Sequence, residues 1–313
     1  MNLWVARDMG YHDMTCVTFS QTNSTDERVA QQVGKALNVD NIFWPLDSAR
    51  HLLHIDEYIS MNYGTALYSG VGAMKEILDR LDVSQFGVIH TGQLGDVIIG
   101  SYLRREEDLS DFSPGGTYSQ LLSVKHSKHD EYRDREEYFM AVRGLLGILS
   151  SHFYLRNYTE VVSPFLDIDF FDFCMSIPVR LRANHNIYKK WILTKYPKAA
   201  EFVWETTGAK ITEMNFARQF RRYKGALMNP KRILRKLGFK VNIRSLTGMN
   251  PSDLWWEENK MLRKTYNQYF ENTIKNKALS SEIKKDIEFI YTSGNTTEKM
   301  MAITALAVVN NFF

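Results

Sequence analysis

The chain has 313 residues, of which 44% are apolar, and a formal net charge of +3. This length and composition allow a sizeable core in one large domain or in two lobes. So small a net charge does not favour a nucleic-acid-binding protein. No apolar run approaches the ~18 residues of a membrane span, and the sequence shows no signal peptide. We therefore expect a protein with no membrane span and no nucleic-acid partner.

The two cysteines, Cys16 and Cys174, lie within apolar runs. Thiols in such surroundings behave as small buried hydrophobes, and neither belongs to a metal-ligand or disulfide pattern. Because unpaired cysteines suit a reducing compartment, we expect a cytoplasmic location.

The first third of the chain alternates between strand and helix patterns. Ser24 and Glu27 have the spacing at which two side chains cap a helix start reciprocally, and apolar residues follow on one face. Such alternation predicts a parallel sheet covered by helices on both faces. The predicted elements are a helix at 2–9, strands at 13–20, 41–46 and 86–91, and helices at 24–38 and over much of 48–81.

The pattern becomes helical after about residue 105 and stays so nearly to the end. A loop is predicted at 114–117, a charged segment at 125–137 and a basic, less regular segment at 216–264. A last helix is predicted to open near Thr296 or Thr297. The residues that it is expected to pack are Met300, Met301, Ala305, Val308 and Val309.

The most informative segment runs from the predicted strand at 86–91 into the turn Gly92-Gln93-Leu94-Gly95-Asp96. Ligands of parallel α/β sheets bind outside the carboxyl ends of the strands. Glycines there let backbone N–H groups approach a phosphate, and a helix start favours an anion. The turn is therefore a candidate phosphate site. The same pattern also fits a tight connection in which Asp96 caps the next helix.

Further segments follow in order: Ser163-Pro164-Phe165-Leu166-Asp167, Ser176-Ile177-Pro178, Lys190-Trp191-Ile192-Leu193 and Thr207-Gly208-Ala209-Lys210. With the turn, they resemble the synthetase domain of the asparagine synthetase family over roughly residues 1–215. The resemblance implies an α/β fold, with a parallel sheet of the adenine-nucleotide alpha-hydrolase-like type covered by helices. It also implies a synthetase-like ATP-pyrophosphatase domain at 1–215 and a helical C-terminal extension at 216–313 packing on it.

The reaction implied by the resemblance is ATP-dependent amide formation by an AMP-forming carbon–nitrogen ligase of the glutamine-hydrolysing asparagine synthase type. A carboxylate attacks the α-phosphorus of ATP and releases pyrophosphate, and ammonia or an amine then displaces AMP. The implied cofactors are ATP and Mg²⁺. The implied partners are a small-molecule carboxylate and either free ammonia or a glutaminase domain or partner.

The resemblance also assigns site residues. Lys190, Asp96 and Gln93 occupy catalytic positions, and Asp96 would face the metal or the pyrophosphate. Lys190 would contact phosphate and the reacting centre, although a neighbouring lysine at 189 is equally typical of a solvated helix face. The positions implied for binding of the nucleotide are Thr18, Ser20, Thr91, Gly92 and Lys210.

Several residues depart from the family pattern. Gln93 stands where asparagine-forming members usually carry an acid, and a glutamine cannot act as a general base. Leu94 replaces the second glycine of the turn, and Val97 replaces an acid that commonly follows Asp96. These changes remove two negative charges, so an acceptor other than aspartate becomes plausible. The Pro-Phe-Leu-Asp segment has a structural interpretation, with Asp167 capping a helix that packs Phe170, Phe171, Cys174 and Met175.

The strand at 13–20 lacks the preceding strand and the SGGxDSR-like pyrophosphate loop that the family places before it. We expect from this that the chain is a fragment or that Met1 is an internal methionine of a longer product, and that the 313 residues alone do not complete the ligase reaction. The alternative to a ligase is a non-catalytic member of the fold that acts as a binding or scaffolding module.

Overall fold

The computed structural model describes residues 1–103, 109–110, 119, 121–122, 131–204, 208–213 and 249–313. The chain divides into two compact units. Unit 1 comprises Met1–Asp47 with Lys189–Leu254, and unit 2 comprises Ser48–Tyr188 with Trp255–Phe313. The predicted loop at 114–117, residues 125–130 of the charged segment, most of the basic segment and the predicted domain boundary after 215 lie outside the described residues.

Unit 1 contains a parallel pair of strands with helices beside it. Strands β1 and β2 pair with Thr15 opposite Asp40 and Ser20 opposite Pro45. The predicted helix and strands of this region are confirmed, each to within a few residues. The elements are α1 (Asn2–Asp8), β1 (Thr15–Ser20), α2 (Thr25–Leu37) and β2 (Asp40–Pro45).

Helix α2 begins where the sequence predicts a cap. The Ser24 hydroxyl accepts a hydrogen bond from the backbone N–H of Glu27 at 3.1 Å, which satisfies a donor that the helix cannot use. The Glu27 carboxylate accepts from the N–H of Asn23, not from that of Ser24 as in a strict capping box. The predicted helix start is therefore confirmed. The hydrogen bond accepted by the Glu27 side chain comes from the residue before the predicted donor.

Unit 2 contains the second parallel pair, in which Val88 lies opposite Glu160 and His90 opposite Val162. Strand β3 (Val88–His90) confirms the prediction, whereas β4 (Glu160–Val162) lies in a stretch that was predicted to be helical, and there the prediction is wrong. Three residues are too few to show a period of two. The described strands form two separate pairs, so the architecture is mixed α/β with small parallel sheets.

The remaining described helices belong mostly to unit 2. Two of them, α10 and α11, contain boundaries between the units. The helices are α3 (Ile55–Asn62), α4 (Ser69–Leu78), α5 (Gly95–Ile98), α6 (Arg135–Phe139, continued by a π-helix at Met140–Leu145), α7 (Ser151–Leu155), α8 (Ile168–Ser176), α9 (Val179–Arg182), α10 (Asn186–Lys195), α11 (Ser252–Glu258), α12 (Lys260–Thr273), α13 (Ser281–Ser293) and α14 (Thr296–Phe312). None of the described helices is both long enough and apolar enough to cross a lipid bilayer.

Helix α14 opens at Thr296 as predicted, with the Asn295 side chain accepting from the N–H of Glu298 at 3.0 Å. Its predicted packing face is confirmed in part. Met300 is buried, the other predicted positions are half-buried, and the Val308 side chain packs against Gly64. Apolar residues occur on every side of this helix, so they define no single stripe. The buried apolar residues are Met300, Ala302, Ile303, Leu306 and Ala307.

Two further burial predictions are corrected. Cys16 is half-buried, while Cys174 is fully buried as expected. On α8, Asp167 caps the helix by accepting from the N–H of Phe170 at 2.9 Å, as predicted. The Phe170 ring itself is 40% exposed, so it does not belong to the packed face. Phe171, Cys174 and Met175 do pack into the core.

The core of unit 2 holds two tyrosines whose side chains are fully buried, Tyr68 and Tyr266. Their hydroxyls hydrogen-bond to each other. The Tyr68 hydroxyl also donates to the backbone carbonyl of Leu52 at 2.8 Å. Burial is the main cause that raises the pKa of each phenol. Both hydroxyls therefore stay protonated and serve as hydrogen-bond donors.

Unit 2 also contains a buried ion pair between α6 and α9. The side chains of Glu136 and Arg182 are 2% and 3% exposed, and the guanidinium engages both carboxylate oxygens, one at 2.7 Å. Arg182 Nε donates to the carbonyl of Ile177 at 2.9 Å. Such a bidentate pair has good geometry, but removing one partner leaves an uncompensated buried charge.

We predict that Arg182→Met lowers the free energy of unfolding by about 3–5 kcal/mol, because Glu136 is left buried and unpaired. Adding Glu136→Gln should recover part of this loss. The control is Arg133→Met, which removes an arginine whose side chain is 75% exposed and should cost less than about 1 kcal/mol. Urea unfolding of the four proteins checks this. Equal losses for Arg182→Met and the double variant would contradict it.

A second prediction concerns pH. His51 is 2% exposed beside the edge of Trp255, and burial lowers its pKa to about 4. The unfolded chain binds a proton near pH 6.5, whereas the folded chain does so only near pH 4. The free energy of unfolding should therefore be highest above pH ~6.5 and fall toward pH ~4, by up to about 1.4 kcal/mol per unit.

Urea unfolding of the wild type and His51→Phe at several pH values checks this prediction. The variant carries no titrating ring at this position, so its stability should fall less steeply below pH ~6.5. Parallel curves for the two proteins would show that His51 does not carry the effect.

Candidate functional site

The candidate site is built on the turn that follows β3. The ladder continues one residue past the strand, because the N–H of Thr91 donates to the carbonyl of Val162 at 2.9 Å. The chain then reverses at Leu94, which has φ +64°, a conformation that costs a non-glycine residue about 1–2 kcal/mol. Leu94 is 2% exposed and packs in the core cluster of unit 2, and this burial offsets the backbone strain.

The turn is docked directly on the segment that carries the Pro-Phe-Leu-Asp motif. A Cβ at Gly95 would lie 2.5 Å from the Phe165 ring, so only glycine fits there without movement. The Ser163 hydroxyl donates to the carbonyl of Gln93 at 2.8 Å. Two of the motifs that resemble the asparagine synthetase family are therefore packed against each other within unit 2.

Polar side chains of α7 lie next to the turn. The Thr91 hydroxyl is 2.8 Å from Nε2 of His152, and Gln93 Nε2 donates to the hydroxyl of Ser151. His152 is 6% exposed, and its pKa is lowered by burial and then by the charge of Arg156. The Gln93 Oε1 atom is buried without a hydrogen-bond partner among the described residues. Ser151 and His152 were missed from sequence, because one adjacent Ser-His pair has no distinctive spacing.

Two residues of the turn are exposed. A Cβ added to Gly92 would meet no atom of the described residues within 4 Å, so a ligand could approach its backbone closely. Asp96 is exposed in the first turn of α5, and its carboxylate makes no hydrogen bond or ion pair with the described residues. The alternative role of Asp96 as the helix cap is wrong, since the N-cap position belongs to Leu94.

The other predicted site residues belong to unit 1. Thr18 is half-buried in β1, and the buried Ser20 hydroxyl donates to Asp26 at 3.2 Å. Lys190 is exposed on α10. Lys210 forms an ion pair with Glu201, and this hydrogen bond raises the pKa of the ammonium. The structure thus brings together four predicted residues at the turn of unit 2, Thr91, Gly92, Gln93 and Asp96.

No three His, Cys, Asp or Glu side chains converge on a metal-sized space in the part of the chain that is described. Mg²⁺ is commonly held in proteins by one or two carboxylates together with phosphate oxygens and waters. Asp96 is the exposed acid of the turn that could serve in this way.

Comparison of the sequence with known protein families and with curated proteins finds no match for this chain.

We predict that Gly95→Ala lowers the free energy of unfolding by about 1–3 kcal/mol, because the added methyl overlaps the Phe165 ring. Gly87, just before β3, has open space around its Cβ position and is the matched control. Gly87→Ala should be neutral or stabilise by about 0.4–1 kcal/mol. Denaturant unfolding measures both, and adding Phe165→Leu should relieve part of the Gly95→Ala loss. Equal stabilities of the two alanine variants would contradict the close packing.

Proposed function

We propose that this chain belongs to an ATP-dependent, AMP-forming amide ligase of the asparagine synthetase type, with a fold of the adenine-nucleotide alpha-hydrolase-like kind. The observation that carries the proposal is the turn of unit 2. It follows a parallel strand, packs through Gly95 on Phe165 of the second motif, and leaves Gly92 and Asp96 exposed at the strand end. That is where ligands of parallel α/β sheets bind.

The residues of the turn fit a nucleotide phosphate and its magnesium ion. The open backbone at Gly92 accepts close approach, and the exposed carboxylate of Asp96 has the oxygen chemistry that Mg²⁺ prefers. ATP would supply the adenylyl group that activates a carboxylate toward a nitrogen nucleophile. The substrates proposed are a small-molecule carboxylate and ammonia, the latter free or delivered by a glutaminase domain or partner. A cytoplasmic location stays a prediction.

Gln93 has a positioning role in this proposal. Its amide donates to Ser151, and its backbone carbonyl accepts from Ser163, so the side chain and the main chain are both held. A glutamine neither takes up nor releases a proton at neutral pH. The proton leaving the attacking nitrogen must therefore go elsewhere. His152 lies near by through Thr91, and burial holds its ring in the neutral form, in which one ring nitrogen carries a lone pair.

The second candidate is a non-catalytic binding module of the same fold. One observation favours it: the Lys210 ammonium, which would contact pyrophosphate in a ligase, is already paired with the Glu201 carboxylate. Lys190 and Lys210 lie in unit 1, and their implied roles stay predictions.

ATP–pyrophosphate exchange, measured with a panel of small carboxylates and Mg²⁺, tests the ligase. We expect the native gene product to exchange with at least one carboxylate, and its Asp96→Asn variant to lose about 100-fold or more, because the Mg²⁺ that would neutralise the leaving pyrophosphate loses a carboxylate ligand. The matched control is Asp169→Asn, which neutralises another exposed acid in the first turn of a helix of unit 2. It should retain nearly full exchange.

Gly92→Ala provides a second test of the ligase proposal. Its added methyl meets no atom of the described residues, so the variant should be as stable as the wild type. If the nucleotide lies against Gly92, the variant should bind ATP about tenfold more weakly, whereas Gly87→Ala should not. ATP binding without exchange for any carboxylate would support the binding module. Absence of both ATP binding and exchange in the folded native gene product would overturn the ligase proposal.

A further inference from the structure

Unit 1 contains a cavity of about 400 Å³ that none of the predicted site residues lines. It lies between the end of α1, the end of α2 and the segment that follows α10. Its volume falls within the range of about 300–1,000 Å³ that is typical of small-molecule sites. The cavity is therefore large enough for a ligand of one or two rings.

The walls of this cavity are apolar and partly aromatic. Trp4 of α1 and Leu37 of α2 line it, together with Tyr196 and Pro197 beyond α10. The Trp4 ring is supported by Phe202, with ring centroids 6.0 Å apart. Tyr196 is supported in the same way by Trp191 at 5.1 Å. Aromatic rings held by neighbouring rings are suited to contact a planar ligand.

Charged groups surround these walls, and positive charge predominates. Arg7, Lys195 and Lys198 line the cavity against one acid, Asp8, which gives a formal surplus of two positive charges. Asp8 is itself engaged, because it accepts from the Tyr196 hydroxyl at 3.3 Å and lies 4.0 Å from the Lys195 ammonium. Lys198 is exposed and makes no hydrogen bond or ion pair with the described residues.

Arg7 is fixed in its orientation. Its Nη1 atom lies 2.7 Å from His12 Nδ1 and donates to the carbonyl of Tyr11 at 3.3 Å. Arginine presents several N–H donors in a rigid fork, so bonds made by one nitrogen leave others to face a ligand. The residues that line the cavity thus include a preorganised guanidinium, that of Arg7, and an ammonium, that of Lys198, without a partner among the described residues.

We propose that this cavity binds a phosphate monoester that carries an aromatic ring system. The monoester has a charge of about −1.5 to −2 at neutral pH, which matches the surplus of two positive charges. The ring would contact the aromatic walls and the phosphate would contact the cations. A mononucleotide and a non-nucleotide aryl phosphate share this chemistry. The proposal does not rest on the ligase function, because no residue of the turn at 91–96 takes part in it.

Calorimetric titration of the full chain with 1-naphthyl phosphate tests the proposal, at about 0.15 M salt so that loose surface binding of ions is screened. Inorganic phosphate and 1-naphthol are titrated as the two halves of the probe. We expect the whole probe to bind with a Kd below about 1 mM, and at least about tenfold more tightly than either half. AMP is titrated in parallel, and its affinity relative to the naphthyl ester tells a nucleotide from another aryl phosphate.

Variants assign the binding to the cavity. Lys198→Glu should weaken it about tenfold or more, because it replaces a partner of the phosphate with a repelling charge. The matched control is Lys35→Glu, which makes the same charge change at an exposed position of α2 that does not line the cavity. It should change the Kd less than about twofold. Trp4→Leu should weaken the whole probe while leaving inorganic phosphate unchanged.

Three results would overturn the proposal. They are the absence of binding of both esters, equal affinity for inorganic phosphate and the whole probe, and equal weakening by Lys198→Glu and Lys35→Glu. The last two would indicate only a general attraction of anions to a basic surface. Because Lys198 is exposed, its variant should fold even if Trp4→Leu does not, and thermal unfolding of each variant checks this.

Discussion

The buried pair between Glu136 and Arg182 is the constraint on which much of unit 2 depends. These residues are 46 positions apart, so the pair fixes the relative position of α6 and α9. The main chain of the same arginine lies against the segment that follows α5. Gly100 has φ +99° and would place a Cβ 2.5 Å from the Arg182 carbonyl, and the N–H of Asn184 donates to the carbonyl of Leu103. The segment that follows the candidate site is thus held against the arginine.

Local signals in the sequence predicted local structure well. The start of α2 was predicted because a serine with a glutamate three residues later satisfies free backbone donors, and the cap of α8 by Asp167 follows the same principle. Strand β4 was missed because it has three residues. The packing face of α14 was predicted only in part, because apolar residues surround that helix. The pairing of strands that are distant in the chain leaves no local signal in the sequence. The sequence alone therefore could not distinguish one sheet, which was predicted, from the two separate pairs of strands in the structure.

At the candidate site too, the sequence predicted the local structure but not the contacts between distant segments. The turn after β3 was predicted from its glycines, but the two glycines have different functions that the sequence does not distinguish: Gly95 contacts Phe165, and Gly92 faces open space. Leu94, which departs from the family pattern, adopts the left-handed conformation that glycine would favour there, and core packing holds it. Ser151 and His152 reach the turn only through the fold, since about 60 residues of chain separate them from it.

In the hydrogen bond between the hydroxyls of Tyr68 and Tyr266, the donor and the acceptor can be assigned. Tyr68 uses its proton on the Leu52 carbonyl, so the proton between the two rings must come from Tyr266. Tyr68 is therefore a donor and an acceptor at once, whereas Tyr266 only donates within this chain of bonds. Loss of the Tyr68 hydroxyl leaves two buried groups unsatisfied, the Leu52 carbonyl and the Tyr266 hydroxyl. Loss of the Tyr266 hydroxyl leaves one, the Tyr68 hydroxyl as an acceptor. The two tyrosines are equally buried, but the two positions should differ in their tolerance to substitution. As the sequence diverges, phenylalanine should be accepted more readily at position 266 than at position 68.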